Sequence, residues 1–235
     1  MKKLQNLFYL ILWTLSLISC RPAIKGEGNI VKEERDQQDF TKIELDLSAN
    51  VTIFIADSFS VLVCAQPNLL EYIETNLEKS TLEIRSDRNI KGTKPIDIII
   101  TCPSLEALNI NGSGDIKVIN PFTTKEIRFE ITGSGNIYAN LNAETIQSEI
   151  NGSGEIHLMG RSADHRLEIN GSGDAYTADM EAEKCRVTIN GSGDAEVYAT
   201  SRLIAKIVGS GNITYSGQPE LTTEITGSGE IKKKK

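Results

Sequence analysis

Between Ile127 and Ala199 apolar and small residues fall on every second position. Ile127, Phe129, Ile131, Gly133, Gly135, Ile137, Ala139 and Leu141 share one parity, as do Ile146, Ser148, Ile150, Gly152, Gly154, Ile156 and Leu158. Val187, Ile189, Gly191, Gly193, Ala195, Val197 and Ala199 repeat the pattern. A period of two held this long predicts strands with one face turned inward. No window of the region holds the 3.6 period of an amphipathic helix. In each run the alternation passes through Gly-Ser-Gly without changing phase, so both glycines fall at inward positions.

The Gly-Ser-Gly triplets begin at Gly112, Gly133, Gly152, Gly171, Gly191, Gly209 and Gly227, in steps of 18 to 21 residues. A recurring period of this length is the mark of a solenoid. A glycine within a strand costs about 0.5–1 kcal/mol against alanine. The triplets hold fourteen of the chain's 19 glycines, so the penalty summed over them, about 7–14 kcal/mol, rivals the stability of a whole domain. Geometry must therefore require them: a tight corner, where a side chain would strike the opposite wall or where φ is positive. A unit of about 19 residues cannot bury its own apolar face, but stacked rungs, each about 4.8 Å above the last, bury a continuous core. The expectation is an all-β, parallel β-solenoid or β-helix-like column over residues 106–231, with about seven GSG-cornered rungs. An antiparallel hairpin sandwich is the rival, since GSG could also close a hairpin. Stacked coils benefit from identical neighbours; hairpins do not.

Residues 39–105 are less regular. Strands are expected within 40–63, 81–85 and 96–101. Leu69, Leu70, Ile73 and Leu77 lie at helical spacing behind Asn68, a fitting N-cap, and predict one short helix of two or three turns. The polar stretch to residue 38, ending VKEERDQQD, reads as a solvated tether.

The N-terminus sets the compartment. Lys2 and Lys3 precede an apolar stretch, Leu4–Ile18, too short to cross a bilayer as a helix and suited to an export signal over residues 1–19. It ends Leu17-Ile18-Ser19-Cys20, which resembles the bacterial lipobox. That resemblance implies acylation at Cys20, a lipidated N-terminus and tether over 20–38, and a membrane as partner through the anchor. Localisation follows as the cell envelope, at the outer membrane, with the facing side open.

The net charge of −7 becomes −9 without the signal's two lysines, and the tail Lys232–Lys235 carries +4 of what remains. An acidic body argues against nucleic acid as a partner, and a frayed basic tail over 232–235 is expected. Cys64, Cys102 and Cys185 match no zinc spacing. In an oxidising compartment Cys64–Cys102 is the expected disulfide, with buried free thiols as the alternative.

The ordered combination of FTKIELDLSANVTI, an IIITCPSL strand, LNINGSGDI and the repeated GSG-D/N-I phrases resembles the DUF2807 family, described as a "putative auto-transporter adhesin, head GIN domain". It covers roughly residues 28–231. The resemblance implies a right-handed β-solenoid in envelope proteins, many of them lipoproteins, and brings no catalytic residues with it.

If the chain stays extended through the triplet, outward positions form columns. One is serine throughout. The next runs Asp115, Asn136, Glu155, Asp174, Asp194, Asn212 and Glu230, and the one before serine includes Asn111, Asn151, Asn170 and Asn190. Beyond the acids lie Lys117, Tyr138, His157, Tyr176, Glu196 and Thr214. Structurally, such columns form hydrogen-bonded ladders between rungs. Functionally, Glu155, His157, Asp174, Tyr176 and Asp194 form a candidate ligand face, on which carboxylates and rings suit a surface glycan or a protein partner. Glu155, Asp174 and Asp194 on consecutive rungs could instead hold a cation, although calcium needs six to eight oxygens. His157 and His165 are expected at the surface. No nucleophile elbow or phosphate loop is present. The expected function is a non-enzymatic envelope adhesin or surface-interaction module that needs no cofactor. A periplasm-facing structural or envelope-stress accessory protein is the alternative, and a β-helical polysaccharide-active enzyme fits less well.

Overall fold

The computed structural model describes residues 22–234; the export signal, Cys20 and Lys235 lie outside the described residues. The fold is an all-β solenoid of about seven turns. Its register is parallel from rung to rung, which excludes the hairpin sandwich. Strand Asn136–Gly152 lies beside Glu155–Gly171, with Ile137 next to Ile156 and Gly152 next to Gly171. Asp174–Gly191 and Ala195–Gly209 continue the stack. Equivalent residues therefore stand above one another. Ile131, Ile150, Ile169, Ile189 and Ile207 form one buried column along the axis, and each buried isoleucine contributes about 1.5–3 kcal/mol.

The triplet's glycines are required by the rung below rather than by the opposite wall. Gly152 has φ of 142°, and a Cβ there would sit well inside 3.0 Å of the Gly133 carbonyl oxygen. A Cβ on Gly154 would meet the Gly135 carbonyl oxygen and, at 2.8 Å, Ile131 Cγ2. From the second corner on, the backbones of neighbouring rungs approach too closely at both glycines for any side chain; at Gly112, where nothing lies within 4 Å, a positive φ of 124° is what favours glycine.

The chain doubles back once near its start. Strand Lys42–Asp46 pairs in parallel with Ala107–Gly112 on one side and with Thr81–Arg85 on the other. Asn50–Ile55 lies likewise between Asp115–Val118 and Asp97–Cys102. Residues 42–55 are thus covered by a later segment. Antiparallel strands complete this cap: Glu74–Glu78 on Thr81–Arg85, Ser60–Ala65 on Asp97–Cys102, and Val31–Arg35 on Ser60–Ala65.

Four local expectations are corrected. Residues 24–35 are built into the fold rather than into a tether over 20–38, because Ile24–Lys25 pairs with Ile90–Lys91 and Val31–Arg35 is an edge strand. That edge is largely exposed and so shows no alternation. The helix is a single turn, Pro67–Leu70, with Gln66 at the N-cap. Asn68 instead pins the N-terminal segment, accepting from Glu27 N–H at 2.8 Å and donating to the Lys25 carbonyl at 2.9 Å. Leu77 lies on a strand opposite Leu82. Cys64 and Cys102 are free and buried: Cys64 pairs with Asp97, five residues along the strand from Cys102, about 16 Å at 3.3 Å per residue and far beyond a disulfide's reach. Lys232–Lys234 of the basic tail are built into the fold, with Glu230–Lys233 paired to Asn212–Ser216 and Lys234 N–H donating to the Tyr215 carbonyl at 2.8 Å.

Candidate functional site

Just after each corner the column of short polar side chains bonds to the rung above. Asp115 Oδ1 accepts the Asn136 N–H at 3.0 Å and Asn136 Oδ1 accepts the Glu155 N–H at 3.1 Å. Asp174 accepts from Asp194 at 2.7 Å, Asp194 from Asn212 at 2.8 Å and Asn212 from Glu230 at 3.2 Å. The Asn column forms a second ladder, Asn190 donating to Asn170 Oδ1 at 2.8 Å and Asn170 to Asn151 Oδ1 at 3.0 Å. The serines take part through their backbones: Ser153 N–H donates to the Gly133 carbonyl at 2.8 Å. Most of these outward polar groups therefore hold the rungs together. Each such bond contributes about 0.5–1.5 kcal/mol net.

Glu155 breaks the ladder. Its side chain is one methylene longer than Asp or Asn, and its carboxylate turns aside to His157, with Oε2 at 2.8 Å from Nε2. The Asp174 N–H therefore keeps only the Gly154 carbonyl, at 3.1 Å, whereas one rung below the Glu155 N–H has both the Gly135 carbonyl at 3.2 Å and Asn136 Oδ1. His157 is itself sandwiched between rings. Its centroid lies 4.6 Å from that of Tyr138 and 4.6 Å from that of Tyr176, and the planes are tilted by 17° and 20°. The parallel register creates this stack by placing Tyr138, His157 and Tyr176 at equivalent positions.

The candidate residues Glu155, His157, Asp174, Tyr176 and Asp194 do share one face, but in different states. Asp174 and Asp194 are engaged in the ladder, whereas Glu155, His157 and Tyr176 form a separate cluster with Tyr138. Stacking consumes both faces of His157. Tyr176, 40 % exposed, keeps its outer side open, because the next residue in its column is Glu196 and not a ring. The carboxylate of Asp174, helped by burial, raises the Tyr176 phenol above its ordinary range. Burial, helped by Asp115 and Glu155, does the same for Tyr138. Both phenols stay neutral donors at physiological pH. Among the described residues no three His, Cys, Asp or Glu side chains converge as a metal site would need.

His165, expected at the surface, is 1 % exposed, and its Nε2 lies 3.1 Å from Ser148 Oγ. Its position had the inward parity, which outweighed its polarity. Sequence reasoning also missed a groove of about 690 Å³ beside the first corner, lined in part by Arg88, Lys91 and Lys94. Three cations within seven residues of an acidic chain were the available signal.

Residues 39–219 match the model of a family described as "Putative auto-transporter adhesin, head GIN domain". Among solved structures, the fold is similar to a "putative adhesin" from Bacteroides fragilis with a TM-score of 0.86 at 23 % identity, over 90 % of this chain and 100 % of that one. It is similar also to a "putative lipid binding protein" from Parabacteroides distasonis, with a TM-score of 0.75 at 29 % identity over 91 % and 100 %. A "putative adhesin" from Parabacteroides merdae gives 0.74 at 20 % identity over 92 % and 100 %. None of these names is that of an enzyme. No curated protein matches the chain.

Proposed function

The chain belongs to that adhesin-head family, and on this footing we propose that it is a lipid-anchored, non-enzymatic envelope adhesin that binds a saccharide at the Tyr138–His157–Tyr176 column. The observation that carries this reading is the coincidence of two departures from the ladder pattern. Where Glu155 leaves the rung-to-rung bonds, three rings stack in the neighbouring column of the same face, between Lys117 below and Glu196 above. A sugar presents apolar C–H faces and a rim of hydroxyls. The open side of Tyr176 suits the first, and the Glu155 carboxylate and tyrosine hydroxyls suit the second. The site is an open surface, as befits a polymer or a cell-surface glycan rather than a small enclosed metabolite.

A glycan array probed with residues 22–235 tests this. Saccharide hits should weaken about tenfold in Tyr176→Ala, as expected for loss of roughly 1.5 kcal/mol of ring contact, and should also weaken in Glu155→Ala. A folded domain with no hits overturns the reading, and hits abolished by chelator transfer it to a cation.

A further inference from the structure

We propose that the N-terminal cap is a membrane-contact face whose basic groove docks on anionic phospholipid headgroups; this rests on the anchor at Cys20. Because Ile24–Lys25 is already a strand of the fold, paired with Ile90–Lys91, only four residue steps separate Ile24 from Cys20. Fully extended, they span about 14 Å. An 18-residue tether would let the body wander, but this short one holds the cap against the headgroup layer.

The surface beside that attachment point has the matching charge. Lys25 lies across the two-strand pair from Lys91, and Arg88, Lys91 and Lys94 line the groove together with Ser48, Thr93 and a single carboxylate, Asp46. Glu27 and Asp87 flank it in the chain. Lys94 Nζ is held by Asn29 Oδ1 at 2.8 Å, and the Arg88 guanidinium lies 5.7 Å from the Tyr72 ring centroid; neither partner neutralises charge. Among the described residues none of these four cations joins an ion pair, whereas Arg35, Lys42, Arg85, Arg128, Arg161, Arg166, Lys206, Lys232 and Lys234 all do. Lys32, Lys79, Lys117, Lys125, Lys184, Arg186, Arg202 and Lys233 are unpaired too, but scattered along the chain; on a chain of net charge −7, these four stand together where the lipid would emerge. The Debye length is about 8 Å at physiological salt, so only cations held close to the bilayer feel its surface potential, and the short tether supplies that closeness. The solenoid then stands on its cap and carries the Tyr138–His157–Tyr176 column away from the bilayer.

The mature chain offers a clean reporter, because its one tryptophan, Trp13, lies in the export signal. Asn89→Trp places an emitter at the groove, and Gln218→Trp places one near the opposite end. The full acylated protein is reconstituted in vesicles of phosphatidylcholine with and without phosphatidylglycerol, doped with headgroup-nitroxide lipid. Asn89→Trp should be quenched in anionic vesicles and released by high salt, while Gln218→Trp stays bright. Adding Lys91→Glu and Lys94→Glu should reduce the contact equilibrium at least about tenfold, since each cation near such a surface contributes roughly fivefold. Equal quenching at both sites, or none at Asn89→Trp while the protein floats with the vesicles, overturns the proposal. A protein that fails to float, and whose flotation does not differ from that of Cys20→Ala, overturns the anchor and this proposal with it.

Discussion

His165 makes the stability of the column depend on pH in a way that can be calculated. The imidazole is buried in the stack, between Ile146 on one rung and Cys185 on the next. Burial pushes its pKa down to about 4, opposed only in part by the neighbouring Asp164 carboxylate. The unfolded chain holds the same group near 6.5. As pH falls below 6.5 the unfolded state takes up a proton that the folded state refuses, so stability is lost between about 6.5 and 4 and then levels off. A gap of roughly 2.5 units at 1.36 kcal/mol each comes to about 3 kcal/mol. That is a large share of the 5–15 kcal/mol typical of a domain. Urea unfolding of residues 22–235 at pH 7.5, 6, 5 and 4 measures it. With a slope of roughly 3 kcal/mol per molar, His165 should account for about 1 M of the fall in midpoint. His165→Leu is the control: it starts less stable, since Ser148 loses its partner, but lacks this loss on acidification. The two curves should converge by about 3 kcal/mol as the pH falls. Curves that stay parallel from pH 7.5 to 4 would refute the buried, neutral imidazole.

Two further substitutions probe the corner and the ladder. Gly152→Val should cost about 3 kcal/mol or more, through positive φ and collision with the rung below, while Ser153→Ala should stay within about 0.5 kcal/mol; equal urea midpoints would sink the corner assignment. Glu155→Asn should give the Asp174 N–H, already paired with the Gly154 carbonyl, its missing second acceptor and stabilise the fold by about 0.5 kcal/mol, or some 1–2 °C in melting temperature, while removing the carboxylate from His157. A lowered melting temperature would show that the ladder bond is not what Glu155 lacks.

The repeat region was legible because its information is local. Alternation assigned Ile137, Ile156 and Val187 to the interior, and equal spacing assigned Tyr138, His157 and Tyr176 to one column before any coordinates. Parity could not show that the rings would use up each other's faces, since that depends on side-chain rotation about a shared axis. Nor could it distinguish Glu155 from Asp174, although one methylene decides which of them joins the ladder. The cap was the least legible part. Val31–Arg35 finds its partner thirty residues away in Ser60–Ala65, and neither the exposed edge nor the interrupted order 42–55, 81–102, 107–118 leaves a periodic trace. Of the basic groove the clustered Arg88, Lys91 and Lys94 were in view, but Lys25 meets Lys91 only through the pairing of Ile24–Lys25 with Ile90–Lys91.

The doubled-back cap also determines how copies of the molecule can associate. A column of parallel strands has two ends, and identical columns with both ends bare could add to one another without limit, a heterologous contact that never closes. Here the start of the column is blunted. Its terminal parallel strands are covered by antiparallel ones, and the new edges, Val31–Arg35 and Glu74–Glu78, are five residues long and bear Lys32, Glu33, Glu34, Glu74 and Glu78, charges that oppose strand addition. The other end differs: among the described residues Glu220–Gly227 and Glu230–Lys233 pair only with the rung before them. With one end closed to addition, end-on growth stops at two columns meeting tail to tail, and a fibre cannot propagate.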